Sequence, residues 1–236
     1  MREPIVDTMG PFRIHSAGDA AVVVELPEAI DPEVNAWCVA LSRTLTTTLG
    51  TIARDVVIGY CSVTVFFDPI AVDAEWLEAE IAECAATIDV STVIGGGAVE
   101  VPVCYGGDAG PDLADVAAFA GCSEAEVIAL HASREYRVYL VGFVPGFAYM
   151  AEVDPRIAAP RRSTPRTSVP AGSVAIAGGQ TGVYPSGTPG GWNIIGRTPL
   201  RPFDAARTEP SLLKAGDQVR FRPVSEADFA RLGCES

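Results

Sequence analysis

Hydrophobic positions follow two regimes along this chain, and the change falls near residue 95. Before it, apolar runs of strand length alternate with stripes at three- and four-residue steps. Ala20 to Leu26 (AAVVVEL) is a continuous run. Asp31-Pro32 then supplies the N-cap and first-turn proline of a helix that runs to about Leu49, with Gly50 as its stop. Val56 to Tyr60 and Ser62 to Phe67 predict two more strands. Asp73 caps a second helix whose Leu77, Ile81, Cys84 and Ile88 form one buried stripe. Strands wrapped around two helices predict a small α+β sandwich domain over residues 1–94.

Ile94-Gly95-Gly96-Gly97 reads as the hinge to a second domain, 95–236. No lysine with Ser/Thr follows these glycines and no helix opens there, which sets a phosphate loop aside. Val99 to Cys104 predicts a strand. Two short helices follow, one near Pro111 to Ala120 and one over Glu124 to Ala132, with Ser123 and Glu126 in capping-box positions. From residue 136 the helical period disappears. Ten of the 23 glycines and nine of the 18 prolines lie between Gly142 and Pro202. They separate short apolar runs such as GSVAIA (172–177), Trp192 to Ile195 and, later, Val219 to Phe221. Dense turns between short strands predict a β-barrel or sandwich.

Composition excludes several classes. The formal charge of −13 argues against nucleic acid as a partner, because phosphate neutralisation needs a basic surface. No apolar run reaches the ~18 residues of a membrane span. The first twenty residues lack a signal-peptide core, so a cytoplasmic location is expected. Six scattered cysteines without a close pair read as reduced thiols, with neither a zinc site nor a disulfide framework.

Charge is distributed unevenly. Between Pro155 and Phe203 there is no acid but six arginines, Arg156, Arg161, Arg162, Arg166, Arg197 and Arg201, so that segment is +6 and the remainder −19. Such a block suits a small anion, or salt bridges to acids elsewhere in the fold; both readings stay open. Just before it, the strand-like VYLV (138–141) breaks into a loop with a Pro145-Gly146 turn and three rings, Phe143, Phe147 and Tyr149. These either wall a ligand cleft facing the arginines or plug the end of the barrel.

Three stretches, YRVYLVGFVPGFAYM (136–150), PRRSTPRTSVPAGSVAIAGGQTGVYPSGTPGGWNIIGRTP (160–199) and LLKAGDQVRF (212–221), strongly resemble the B subunit of bacterial 5-oxoprolinase. That family is also described as allophanate hydrolase subunit 1 or the KipI family, and is similar to part of a urea carboxylase carboxyltransferase domain. IHSAGDAAVVVEL (14–26) and GYCSVTVFFDP (59–69) resemble its first domain. The resemblance implies an α+β fold class, with a cyclophilin-like β-barrel after the N-terminal domain. It also implies ATP-dependent opening of 5-oxoproline to glutamate, in company with the A and the carboxyltransferase-like C subunits of that enzyme. A KipI-like inhibitor of a sensor histidine kinase, or a piece of a urea or allophanate system, is the alternative.

ATP with Mg²⁺ follows from the resemblance alone, and the acid-free block offers no metal ligands of its own. Opening a lactam with ATP calls for positioning and for neutralising phosphoryl charge, which suits arginine. Arg162 and Arg166 are the expected pair and Arg197 a third, with Arg161 set aside as the surface member of its doublet. Gly146 and the three rings would form the wall, Gln180 and Tyr184 would hydrogen-bond, and Trp192 would cover the substrate ring or simply fill the core. Gly178-Gly179 and Gly190-Gly191 could present backbone N–H groups to a phosphate, or turn barrel corners. His131 matches a family position as an acid/base or substrate contact, although a lone histidine is more often structural. Ser186 has no nucleophile-elbow spacing, and Lys214, the only lysine, is either exposed or a phosphate contact.

Overall fold

The computed structural model describes residues 12–28, 30–90 and 98–234. The chain divides into two compact units, residues 1–95 and 96–236; the expected Ile94–Gly97 hinge lies outside the described residues.

In the first unit, β1 (Arg13–Ser16), β2 (Ala21–Glu25), β3 (Ala53–Ile58) and β4 (Ser62–Phe67) form an antiparallel sheet in the order β1-β2-β4-β3. Helices α1 (Pro32–Leu49) and α2 (Ala74–Ala86) pack against that sheet. Asp31 caps α1 through the Glu33 and Val34 amides, and Asp73 caps α2 through Trp76. Val22, Val24, Val63, Val65 and Phe67 alternate inward from the strands to meet Trp37, Leu41, Leu45, Leu77 and Ile81. β1 escapes the sequence pattern because it is an edge strand with only Ile14 packed on the core.

The second unit begins with β5 (Ala98–Tyr105) and the helices α3 (Leu113–Ala120) and α4 (Glu124–Ala132). β6 (Glu135–Val141), β7 (Ala148–Ala151), β8 (Arg166–Val169), β9 (Ser173–Ala177), β10 (Gln180–Val183), β11 (Thr188–Gly190), β12 (Asn193–Arg197) and β13 (Gln218–Pro223) follow, then α5 (Glu226–Cys234). Seven strands close a barrel in the order β10-β7-β6-β13-β5-β12-β9, while β8 and β11 pair as a separate ribbon. β13 runs parallel to β5 and antiparallel to β6. Ser123 and Glu126 form the expected capping box at α4. α5 has no counterpart in the sequence pattern: none of its residues is fully buried, so no core stripe marks it.

Barrel side chains fall into two apolar clusters. Val101, Val138, Met150, Ile176, Val219 and Phe221 belong to the main core. Phe147, Val169, Ala175, Tyr184, Trp192 and Ile194 form a second cluster, against which Val144 and Tyr149 pack. That second cluster carries the cleft. All six cysteines are unpaired, and burial pushes the Cys38 thiol up to about 12, which leaves it an inert apolar group. Among the described residues no helix is long and apolar enough to cross a membrane.

Candidate functional site

The cleft starts from the loop between β6 and β7. Phe147 N–H donates to the Val144 carbonyl (3.0 Å), closing a turn over Pro145 and Gly146. Gly146 stands at φ 83°, and a Cβ there would lie 2.6 Å from Phe203 Cβ, so both backbone and space demand glycine. One residue earlier, Val144 N–H donates to the Gly142 carbonyl (2.9 Å), with Phe143 between them at φ 70°. A phenylalanine in the left-handed region is strained. Phe143 is 64% exposed and borders the cleft.

Phe147 is the hub of the wall. Its centroid lies 5.8 Å from Phe143, 4.8 Å from Tyr149, 5.1 Å from Tyr184 and 5.4 Å from Trp192, all edge-on. Such edge-to-face contacts are the favoured geometry between rings. Together with Arg161, Arg162, Gly190 and Gly191 these rings line a hollow of about 330 Å³. Burial raises the Tyr149 and Tyr184 phenols above their ordinary range while the Arg161 charge opposes it, so both remain protonated at neutral pH.

The arginines separate into distinct settings. Arg162 Nη1 donates to Asp112 Oδ1 (2.6 Å), and Arg166 grips both oxygens of the same carboxylate (2.8 Å each). The Ile194 N–H adds a fourth bond at 2.7 Å. Asp112 itself is 1% exposed. It stands at the start of α3 yet makes no capping bond with its side chain; the carboxylate is turned to the arginines instead. Arg166, expected at a phosphoryl group, thus commits both terminal nitrogens to a protein acid, which raises its pKa further. Arg162 still borders the hollow, and its Nε is a buried donor without a partner. Arg161 is exposed, as the sequence reading expects of the surface member of the doublet, and its guanidinium lies over the Trp192 ring at 6.0 Å, within cation–π reach. It makes no ion pair among the described residues.

Other expected contacts lie elsewhere. Arg197 borders a different hollow of about 300 Å³ with Arg201 and donates to the Ala171 carbonyl. Arg156 pairs with Asp154, and Lys214 with Glu209. Gly178-Gly179 turn the β9–β10 hairpin; the Gly178 amide is taken by the Ala159 carbonyl (2.7 Å), so it is not free to bind a phosphate. Gln180 begins β10, paired with Ala151 and Ala177, and does not border the hollow. Gly190 does, but its glycine is required by packing, since a Cβ would lie 2.4 Å from the Tyr184 hydroxyl.

His131 is 0% exposed and lies in the barrel core, not at the cleft. It stacks on Phe221 at 4.5 Å, with Tyr105 Oη 2.8 Å from Nδ1 and Thr181 Oγ1 2.9 Å from Nε2. Thr181 spends its one proton on the Ala175 carbonyl. It therefore accepts from Nε2–H, which leaves Nδ1 to accept from Tyr105. Burial drives the imidazole pKa down to about 3. A neutral, fully bonded, inaccessible histidine is a structural one.

The lining of this hollow includes no carboxylate to hold the magnesium of a nucleotide. Both Asp112 oxygens are occupied, and Asp115, 75% exposed, already lies 3.8 Å from Arg162. Among the described residues there is no group of three or more His, Cys, Asp or Glu placed to hold a metal.

Comparison with known proteins agrees with this architecture. The family described as "Carboxyltransferase domain, subdomain C and D" matches residues 12–213. The chain is similar to the B subunit of 5-oxoprolinase from Bacillus subtilis (strain 168), with 41% identity over 232 residues, 92% of this chain and 95% of that one. Among solved structures it is similar to TTHA0988, at 35% identity and a TM-score of 0.76, spanning 87% of this chain but only 40% of that one. The K. lactis urea amidolyase shares the fold, with a TM-score of 0.76 at 20% identity over 95% of this chain and 15% of that one. The chain belongs to the carboxyltransferase-domain family and, within it, to the 5-oxoprolinase B subunits.

Proposed function

We propose that this chain is the B subunit of a 5-oxoprolinase, which opens 5-oxo-L-proline to L-glutamate with hydrolysis of ATP, and that it works assembled with the A and the carboxyltransferase-like C subunits of that enzyme. The observation carrying this reading is the identity to the B. subtilis protein over 95% of that protein's length. ATP would supply the activation that makes an unreactive lactam carbonyl open to attack. The part of this chain is to bind and orient: aromatic rings remove the substrate from water, and arginine holds its carboxylate. Holding a reactant in one geometry is itself a large share of catalysis.

Mixing the purified chain with the A and C subunits and following 5-oxoproline-dependent release of phosphate and glutamate tests the reading. Turnover is expected only when this chain is present. Glutamate formation by the A and C subunits alone, or none by the complete mixture, refutes it.

A further inference from the structure

We infer that the hollow walled by Phe147, Tyr149 and Trp192 is a binding site for a small monocarboxylate with a flat, uncharged ring, that Arg161 is its anion contact, and that no nucleotide binds there. That 5-oxoproline is the particular carboxylate rests on the proposed function; the ligand class rests on the cleft alone.

Charge decides between a monoanion and a polyanion. Three guanidinium groups, Arg161, Arg162 and Arg166, gather at this edge of the barrel, and the carboxylates of Asp112 and Asp115 lie within ion-pair distance of the last two. One positive charge is left over, and it is carried by Arg161. A triphosphate brings three or four negative charges and ordinarily meets several cations or a metal; the lining of this cleft has one uncompensated cation and no carboxylate to hold a metal. One carboxylate matches it.

Donors and shape agree. Arg162 borders the hollow beside Arg161. Arg161 reaches over Trp192, so a carboxylate on Arg161 brings the attached ring against the indole and the Tyr149 ring, 5.8 Å apart at their centroids. The protonated phenols add no charge to repel it. A volume of about 330 Å³ sits at the bottom of the range of roughly 300–1,000 Å³ for small-molecule sites, room for a single ring with its substituent.

The test uses the full chain, alone and assembled with the A and C subunits, with binding followed by calorimetry and by saturation transfer to the ligand. The probes are 5-oxo-L-proline, cyclopentanecarboxylate, cyclopentanecarboxamide and ATP with Mg²⁺. Both carboxylates are expected to bind and to compete, and the uncharged amide to bind at least about tenfold more weakly. Arg161→Gln should weaken both carboxylates about tenfold or more, the loss of one charge-assisted hydrogen bond. Arg201→Gln, in the other hollow, should leave binding unchanged. Equal binding of acid and amide, indifference to Arg161→Gln, displacement of the carboxylate by ATP, or no carboxylate binding in either state overturns the inference. Arg161-dependent binding of cyclopentanecarboxylate without binding of 5-oxoproline upholds the cleft and sinks the proposed function. Turnover of 5-oxoproline with an unchanged KM in Arg161→Gln does the reverse.

Discussion

The His131 cluster and the Arg161–Arg162 cluster lie in the same barrel unit, and both set polar groups against aromatic rings. Around His131 every donor has an acceptor: Tyr105 gives to Nδ1, Nε2–H gives to Thr181, and Thr181 gives to a backbone carbonyl. The group is neutral and sealed. At the cleft, Asp112 binds two arginines, but one guanidinium nitrogen stays unpaired and Arg161 keeps its whole charge over an indole. Complete satisfaction marks a group that holds the barrel together. An uncompensated charge beside open space, as at Arg161, is the opposite case: nothing in the barrel neutralises it, and an anion can reach it.

The sharpest way to break this contrast is to remove the acid beneath the cleft. Asp112→Ala leaves two guanidinium groups facing each other and the Ile194 amide without its acceptor. Losing one side of a buried pair costs about 3–5 kcal/mol; with both arginines partly exposed, the lower end is expected in urea denaturation. A loss below about 1 kcal/mol would mean that Asp112 is no more than a surface partner.

His131 gives the next largest effect, and its sign is fixed by burial. The folded pKa of about 3 lies below the ordinary 6.5, so below pH 6.5 the unfolded chain binds a proton that the folded one refuses. Stability is therefore fully present above pH 6.5 and falls as pH drops towards 3, by about 1.4 kcal/mol per pH unit once well below 6.5. His131→Leu should lose about 1–3 kcal/mol at pH 7 from the stranded Tyr105 hydroxyl and should flatten that part of the pH profile. An undiminished slope in the variant would assign the acid sensitivity to other groups.

Phe143→Ala should have the smallest effect on stability. An exposed ring in a strained conformation contributes little, so the change should stay within about 0.5 kcal/mol, while carboxylate binding weakens severalfold from loss of the cleft's outer wall. Unchanged binding would place Phe143 outside the site.

Much of this molecule is legible in its sequence, and the gaps have physical causes. Asp31, Asp73 and the Ser123/Glu126 box announce their helices because capping is a local interaction. The aromatic wall is visible because Phe143, Phe147 and Tyr149 crowd a Pro-Gly turn that would otherwise be polar. Asp112 is hidden: it falls inside the helix expected near Pro111 to Ala120, and its partners lie 50 and 54 residues downstream. That missing acid is why Arg166 reads as an open anion contact. Arg161 and Arg162 are indistinguishable as a doublet; only the fold decides which one meets Asp112 and which lies over Trp192. The pairing of Arg162 with Arg166 is legible because only four residues separate them; the placing of Arg197 at a different hollow is a long-range fact that no spacing encodes.

If Arg161 holds the carboxylate of the substrate, its loss must show in the assembled enzyme. Steady-state kinetics of the three-component mixture carrying Arg161→Gln tests it most directly, with 5-oxoproline and ATP varied in turn. KM for 5-oxoproline should rise about tenfold or more, one charge-assisted contact, while KM for ATP stays within about twofold. A rise confined to ATP, or no change in either, would contradict it.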